Sequence, residues 1–206
     1  MKEIILIGYS GHAFVIYGIF RSGGHEVKSY CDKEEKSFNP FLLNYLGSES
    51  DEKVLSLLKS NYFFISVGDN LVRNKIYSSL SRHNLMPVNA IHPSAIIDHS
   101  CLINGHGIMI SAGVCINPLA KIGTGVICNT GSIIEHECVV DDFAHIAPGA
   151  VLCGNVKVGE NSLVGAKSVV RENITIGKNV IIGAGSVVVK NIPDNMKVAG
   201  NPARIL

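Results

Sequence analysis

The chain has 206 residues, of which 47% are hydrophobic and 17% charged, and its formal net charge is +1. This composition is typical of a globular protein with a large core and excludes an intrinsically disordered chain. The near-zero charge gives no support for nucleic-acid binding, and the apolar runs fall far short of the roughly 20 residues that span a bilayer. The N-terminus lacks the apolar stretch and cleavage site of a signal peptide, so we expect a cytoplasmic protein with no membrane segment.

Residues 1–88 alternate short apolar strands with helical stretches. This order predicts a small Rossmann-like parallel α/β sheet. The predicted strands are 4–7, 25–30 and 62–67, and the predicted helices are 13–20, 50–59 (with Ser50 as its N-cap) and 71–82.

Polar and glycine residues follow each of the predicted strands, where ligands of parallel sheets bind. A glycine-rich turn that opens a helix can receive a phosphate through its backbone N–H groups. The first turn reads GYSGH rather than GxGxxG, so a dinucleotide cofactor is only weakly supported. We predict a ligand-binding edge formed by Gly8, Ser10, Gly11, His12, Asp32, Lys33, Gly68, Asp69 and Asn70.

Residues 89–206 carry an internal repeat with a period of six. An aliphatic residue or Cys recurs every six positions from Ile91 to Val188, with one extra residue between Ile103 and Ile110. The position four residues after each of these anchors is small or β-branched, and a glycine or polar residue often follows the anchor directly. A period of six fits neither a helix nor a simple alternating strand, but it fits short strands joined by sharp turns. Three such strands predict a triangular coil of eighteen residues, with large aliphatics inside and glycines at the corners.

The six cysteines form no CxxC pair, and Cys128 and Cys138 fall on apolar positions of the repeat. We therefore expect both of them to be buried, reduced core residues.

The hexad pattern resembles the hexapeptide-repeat acyltransferases, and the order of modules resembles one subgroup, the bacterial sugar acetyltransferases similar to PglD and NeuD. The resemblance extends over the whole chain: a GYSGH turn, then CDK, SVGDNLVRNKIY, the hexads and a final GNPAR. Its most specific segment is NTGSIIEHEC, residues 129–138, followed by His145. The resemblance implies a left-handed parallel β-helix, a homotrimer with active sites between subunits, and acetyl-CoA as co-substrate without a metal.

The resemblance also implies roles for individual residues. His136 matches the general base, Glu137 the carboxylate that supports it, and Asn129 a residue that helps to hold the sugar. The residues that it assigns to the nucleotide end of a UDP-amino sugar are Gly8, Ser10, Gly11, His12, Asp32 and Lys33, and Gly68 joins this set because it follows a predicted strand at the same edge. The residues that it assigns to the coenzyme are His145, Gly154, Ala166, Ala184 and Arg204.

The chemistry of these residue types agrees with such roles. A histidine titrates near pH 6.5 and can take a proton from an attacking amine at neutral pH, and a neighbouring carboxylate fixes its tautomer. The oxyanion of the intermediate needs a donor, which a backbone N–H or His145 could supply. Coenzyme A already activates the acyl group, so no nucleophilic cysteine is required.

The sequence favours N-acetylation of a 4-amino-4,6-dideoxy sugar carried on UDP, for glycan or polysaccharide synthesis. O-acetylation of sialic acid or another sugar is the nearest alternative, and the sequence does not separate the two. More distant alternatives are a zinc lyase of the γ-carbonic anhydrase type, which would need a three-histidine site, and a non-catalytic nucleotide-sugar binder.

Overall fold

The computed structural model describes residues 3–206 and divides the chain into two compact units, Met1–Pro93 and Ser94–Leu206. The predicted boundary after residue 88 lies a few residues before this division. We call the first part the front unit and the second part the prism, and each is described by itself.

The front unit is a four-stranded, wholly parallel sheet with three helices, as the sequence predicts. The elements in chain order are β1 (Ile4–Ile7), α1 (Gly11–Ser22), β2 (Val27–Cys31), β3 (Asn44–Tyr45), α2 (Glu52–Ser60), β4 (Tyr62–Ile65), α3 (Asn70–Ser81) and the short strand β5 (Ala90–Ile91). The strand order of the sheet is β3-β2-β1-β4, so the first strand occupies an interior position next to β4.

Besides shifts of one or two residues at the ends of other elements, three details of the front unit differ from the prediction. The N-cap of α2 is Asp51 rather than Ser50, because Asp51 is the last extended residue and its carboxylate accepts the N–H of Ser48 at 3.0 Å. β4 ends at Ile65 rather than at residue 67, because Ser66 turns its hydroxyl onto the carbonyl of Gly8 at 2.6 Å. The two-residue strand β3 was not predicted, since so short a segment carries no periodicity.

The prism is a parallel β-helix of two-residue strands, and it confirms the predicted coil of eighteen residues. Successive strands on one side pair in parallel at that spacing, for example Ile127 with His145 and Cys128 with Ile146. The extra residue before Ile110 lengthens the first coil, so that Ile103 pairs with Ile122.

The prism has three sides, each of them a parallel sheet. Face 1 contains β8 (Met109–Ile110), β11 (Ile127–Cys128), β14 (His145–Ile146), β17 (Leu163–Val164), β20 (Ile181–Ile182) and β22 (Lys197–Gly200), with β23 (Ala203–Ile205) antiparallel to β22. Face 2 contains β6 (Ile96–Ile97), β9 (Cys115–Ile116), β12 (Ile133–Ile134), β15 (Val151–Leu152), β18 (Val169–Val170) and β21 (Val187–Val188). Face 3 contains β7 (Leu102–Ile103), β10 (Lys121–Ile122), β13 (Val139–Val140), β16 (Lys157–Val158) and β19 (Thr175–Ile176).

The second residue of each two-residue strand points into the prism, and the predicted anchors from Ile110 to Val188 are all buried there. The small residues four positions after the anchors are buried as well, so both predicted core positions are confirmed in this range. Ile91 is an exception: it is exposed, because no coil precedes it to cover its side chain.

Glycine serves the corners in two ways, and the sequence predicted only one of them. The glycines directly after an anchor, such as Gly159, do not have positive φ; a Cβ on Gly159 would lie 2.6 Å from the carbonyl carbon of Gly177 in the next coil. These glycines are needed because successive coils approach closely. The left-handed backbone occurs two residues later. Glycines such as Gly131 and Gly149 supply it in some coils, as predicted, and Asn161, Asn179 and Glu137 adopt the same φ near +60° in others. Asparagine tolerates this conformation better than most residues, which explains its recurrence.

Candidate functional site

The predicted ligand-binding edge of the front unit surrounds a cavity of about 340 Å³ at the carboxyl ends of β1, β2 and β4. Gly8, Ser10, Asp32, Lys33 and Gly68 all line this cavity. Gly11 lies in an adjoining cavity of about 240 Å³, which Ser10 also lines. The structure thus brings six of the seven residues assigned to the nucleotide to one edge of the sheet.

The helix α1 begins at this edge without a cap. Ser10 is its N-cap residue, yet the Ser10 side chain makes no capping hydrogen bond, and the first turn holds no acidic residue. The first N–H groups of a helix have no partner within the helix and carry a partial positive charge. An anion such as a phosphate would be stabilised at this position.

Asp32 fixes the turn that leads into α1. One of its carboxylate oxygens accepts the backbone N–H of Tyr9 at 2.9 Å, and the other accepts the N–H of Lys33 at 2.7 Å. The ammonium group of Lys36 lies 3.3 Å from the second oxygen. Asp32 therefore both lines the cavity and holds the turn in place.

His12, the seventh of these residues, lies behind the cavity wall. A Cβ on Gly68 would lie 3.6 Å from Cγ of His12, so the imidazole packs against that glycine. Burial, and secondarily the charge of Arg73, lowers the pKa of His12 to about 4. The ring is neutral at physiological pH and contributes packing rather than positive charge.

Arg73 and Ser66 were not among the predicted site residues, although both support the cavity wall. The side chain of Arg73 is 1% exposed and donates hydrogen bonds to the carbonyls of Val67 and Gly68, each at 3.1 Å. The sequence held a signal for Arg73, because it lies seven residues before Leu80 and therefore on the same buried face of α3. A charged residue in an apolar stripe indicates a specific buried role.

In the prism, His136 and Glu137 occupy the corner between β12 and β13, which joins face 2 to face 3. Nδ1 of His136 lies 3.1 Å from Oε2 of Glu137. Because a carboxylate only accepts hydrogen bonds, Nδ1 carries the proton of the neutral ring and Nε2 keeps its lone pair. The His136 side chain is 58% exposed, so the lone pair on Nε2 is accessible to solvent.

Gly154 lies one coil beyond His136 at the same corner. A Cβ at this position would lie 2.5 Å from both Cε1 and Nε2 of the His136 ring. Only glycine therefore leaves room for the imidazole in this position. The structure places Gly154, which the resemblance assigns to the coenzyme, directly against the predicted base.

Asn129 and His145 lie together at a different place, on face 1 and its corner with face 2. Nδ2 of Asn129 lies 3.1 Å from Nε2 of His145, while Oδ1 of Asn129 accepts the N–H of Thr130 at 2.8 Å. The Thr130 contact fixes the orientation of the amide, so Nε2 of His145 is the acceptor and Nδ1 carries the proton. Both histidines therefore carry the proton on Nδ1, but Nε2 of His145 is occupied by Asn129, whereas Nε2 of His136 is not used by Glu137.

Three further residues are assigned to the coenzyme, and two of them lie at the same corner as Asn129. Ala166 and Ala184 occupy the corner between faces 1 and 2, in the two successive coils beyond His145. Arg204 is exposed in β23, opposite Ala199. Within one chain, therefore, the predicted site residues of the prism apart from Arg204 lie at or beside two corners, one on each edge of face 2.

The cysteines at the core positions are buried as predicted and are free thiols. Burial raises the pKa of Cys128 to about 12 and that of Cys138 to about 11. Both are therefore protonated at neutral pH, a state in which a thiol is a poor nucleophile.

Comparison with known proteins identifies the family. Residues 3–80 match the PglD N-terminal domain, and residues 155–190 match the bacterial transferase hexapeptide repeats. A perosamine N-acetyltransferase from Caulobacter crescentus, solved as a variant with CoA and GDP-perosamine, is 33% identical and superposes with a TM-score of 0.93 over 100% of this chain and 97% of that one. The chain belongs to the PglD-like family of hexapeptide-repeat sugar acetyltransferases.

Two further members of this PglD-like family support the assignment. The acetyltransferase domain of PglB from Neisseria gonorrhoeae, solved with acetyl coenzyme A, is 31% identical, with a TM-score of 0.92 over 100% of this chain and 99% of that one. The GDP-perosamine N-acetyltransferase of Escherichia coli O157:H7 is 32% identical over 149 residues, which are 69% of this chain and 66% of that protein.

Two absences apply to the described residues alone. Across residues 3–206, no helix has the length and apolar character needed to cross a membrane. The same part of the chain holds no group of three or more His, Cys, Asp or Glu side chains arranged to bind a metal ion.

Proposed function

We propose that this protein transfers an acetyl group from acetyl-CoA to the amino group of a nucleotide-linked 4-amino-4,6-dideoxy sugar. The observation that carries the proposal is the His136–Glu137 pair, in which the carboxylate fixes Nδ1 as the donor and leaves Nε2 free to accept a proton. The relatives with nucleotide amino sugars in their names support the substrate class.

In the proposed reaction the sugar amine attacks the thioester carbonyl of acetyl-CoA. A C–N bond forms, Nε2 of His136 takes the proton that the nitrogen loses, and the C–S bond then breaks to release the CoA thiol, which regains a proton. Glu137 stabilises the imidazolium that forms transiently. General-base catalysis of this kind contributes about 10²- to 10⁴-fold in rate.

His145 suits a different role from that of His136. Because Asn129 donates to Nε2 of His145, the neutral ring has no lone pair free for proton abstraction at that nitrogen. We therefore assign His145 to the coenzyme side of the site, with its protonated Nδ1 as a donor to the thioester oxygen or the oxyanion. Asn129 would orient His145 in addition to contacting the sugar.

The homotrimer is also proposed, and face 2 supplies its physical reason. The outward residues of this face are aliphatic or Cys in every coil: Ile96, Cys115, Ile133, Val151, Val169 and Val187. The outward residues of face 3 are mostly polar or charged: Leu102, Lys121, Val139, Lys157 and Thr175. A continuous apolar stripe on one side of a β-helix is typical of a subunit interface.

Packing face 2 of three copies around a common axis would assemble the site. One edge of face 2 carries His136 and Gly154, and the other carries Asn129 and Ala166. Rotation about a three-fold axis places unlike edges of neighbouring copies together. The base of one copy would then oppose the coenzyme-side residues of the next.

The front unit would hold the nucleotide end of the sugar in its cavity. The uncapped start of α1 suits a phosphate, and Asp32 suits a hydroxyl or base N–H group. The relatives that carry GDP-perosamine in their names make a guanosine carrier the first to test. The uridine carrier and the cytoplasmic location remain predictions.

The test is acetyl transfer from acetyl-CoA to GDP-perosamine, a UDP-linked 4-amino-4,6-dideoxy sugar, CMP-sialic acid and free sialic acid. We expect an acetylated amine that survives mild alkali, whereas an O-acetyl ester would be hydrolysed. An ester product would favour the O-acetyltransferase alternative. Absence of transfer to every acceptor by the wild-type protein would contradict the proposal and leave the non-catalytic binder.

A further inference from the structure

Arg73 is the largest fully buried side chain of the described residues, and it lies directly behind the wall of the front cavity. Its Nη1 donates to the carbonyls of Val67 and Gly68, and its Nη2 donates to Oδ1 of Asn70 at 2.9 Å. Burial lowers its pKa only to about 10, so the guanidinium is charged at neutral pH. Arg73 therefore holds the whole turn from Val67 to Asn70.

The orientation of a carbonyl determines the direction of the next N–H group. In a trans peptide the C=O of one residue and the N–H of the following residue point in opposite directions. The first turn of this unit shows the effect: Ser66 binds the carbonyl of Gly8 at 2.6 Å, and the N–H of Tyr9 points the other way, to Asp32 in the cavity wall.

The same rule applies to the turn that Arg73 holds. Because Arg73 binds the carbonyls of Val67 and Gly68, the N–H groups of Gly68 and Asp69 point away from Arg73. Gly68 and Asp69 both line the cavity. Within residues 3–206, neither of these N–H groups donates to a backbone or side-chain acceptor.

The groups beside Gly68 and Asp69 leave the N–H groups of these two residues open to a ligand. The carboxylate of Asp69 is occupied by the N–H of Val72, which it accepts at 2.9 Å as the cap of α3. His12 is neutral and fills the space beside Gly68. Successive backbone N–H groups that face a concave surface form a common anion site.

We infer that Arg73 is a positioning residue for the phosphates of the nucleotide: it fixes two peptide units so that the N–H groups of Gly68 and Asp69 face the cavity opposite the start of α1. The inference rests on the proposed function for the identity of the ligand. Arg73 itself does not line the cavity, and its effect on the ligand passes through the turn.

The test compares Arg73→Met and Arg73→Lys with Lys75→Met in the full chain. Lys75 is on the same helix but exposed, so its replacement removes the same charge without touching the turn. Calorimetry would measure the dissociation constants of GDP, UDP, inorganic pyrophosphate and acetyl-CoA, and melting curves would report folding. Asn70→Ala is the milder variant, since it leaves the hydrogen bonds from Arg73 to the carbonyls of Val67 and Gly68 in place.

We expect Arg73→Met to weaken nucleoside diphosphate and pyrophosphate about tenfold or more, because two positioned donors to a charged group are lost. Arg73→Lys and Asn70→Ala should be intermediate, and Lys75→Met should match the wild type. Acetyl-CoA affinity should not change, and in turnover the KM for the nucleotide sugar should rise more than kcat falls.

Several outcomes would overturn the inference. Unchanged nucleotide and pyrophosphate affinity in a folded Arg73→Met protein is one, and an equal loss of acetyl-CoA affinity, which indicates general damage, is another. If Arg73→Met does not fold, unchanged affinity in Arg73→Lys and Asn70→Ala has the same meaning. A wild type that binds none of these phosphates also contradicts it, whereas a wild type that binds them but transfers no acetyl group contradicts the proposed function alone.

Discussion

In the front unit, the groups around the cavity are held by buried polar side chains that lie elsewhere in the sequence. Ser66 holds the carbonyl of Gly8, and Arg73 holds the carbonyls of Val67 and Gly68. In the prism, His136 and Glu137 occupy ordinary corner positions of a repeat whose core is made by other residues. The comparison teaches that the front cavity is shaped by buried side chains that do not line it, whereas the exposed His136–Glu137 pair can be replaced at little cost to the packing of the prism.

The largest effect is expected when the predicted base of the prism is replaced. His136→Ala should lower acetyl transfer about 10³-fold, because the general base is removed. Glu137→Gln should cost less, since the base remains but loses its charged partner. The melting temperature should not change, because His136 is exposed.

The matched control for that variant is Glu172→Ala. Glu172 occupies the same corner two coils beyond His136 and should be silent in steady-state assays with acetyl-CoA and the nucleotide sugar. Intact activity in His136→Ala would remove this histidine from the mechanism.

A second prediction concerns face 2 of the prism. Val151→Asp introduces a charge in the middle of face 2, and burying it without a partner is costly enough to weaken subunit association about a hundredfold or more. Light scattering should show smaller species, with a parallel loss of activity.

Thr175→Asp on face 3 is the control for the interface, because it adds the same charge on a polar side. If Val151→Asp remains a trimer, or if the wild type is an active monomer, face 2 is not the interface.

A third, smaller effect tests the packing behind the base. Gly154→Ala would place a methyl group 2.5 Å from the His136 ring, so the imidazole must move. A displacement of about 1 Å in a catalytic group can cost about 10²-fold in rate, so we expect a loss of ten- to a hundredfold in kcat. Gly131→Ala is the control, because nothing lies within 4 Å of its added Cβ, although its positive φ predicts some loss of stability. Equal kcat in Gly154→Ala and the wild type would show that the ring position is not critical.

The smallest effect belongs to the front unit and concerns stability. His12 has a pKa of about 4 in the folded protein and about 6.5 when unfolded. Between these values the unfolded chain binds more protons, so stability falls as the pH is lowered from 6.5 to 4, by up to about 3 kcal/mol. The loss is fully developed below pH 4 and absent above pH 6.5.

Tyrosine fluorescence can measure this effect separately, because all six tyrosines lie in the front unit. The difference in unfolding free energy between the wild type and His12→Gln should depend on pH in that window. His83→Gln, at an exposed position, is the matched control for the loss of a histidine. A pH-independent difference for His12→Gln would mean that His12 titrates normally.

The sequence by itself determined the prism almost completely. A period of six specifies which side chains point inward, and every anchor from Ile110 to Val188 is buried in the structure. The local order NTGSIIEHEC also brought His136 and Glu137 together, since adjacent residues need no long-range fold to meet. Repetition makes such predictions secure because the same physical rule is applied in each coil.

Only the tertiary structure decided which distant residues meet. The contact of Gly154 with His136 and that of Asn129 with His145 depend on coil stacking, and the contact of Arg73 with the Val67–Gly68 turn depends on where α3 begins. It also separated the predicted prism residues into two corners on opposite edges of face 2. The spacing of residues in the sequence determines which way each side chain points from its own strand. The distance between two residues that are far apart in the chain depends instead on how the elements pack.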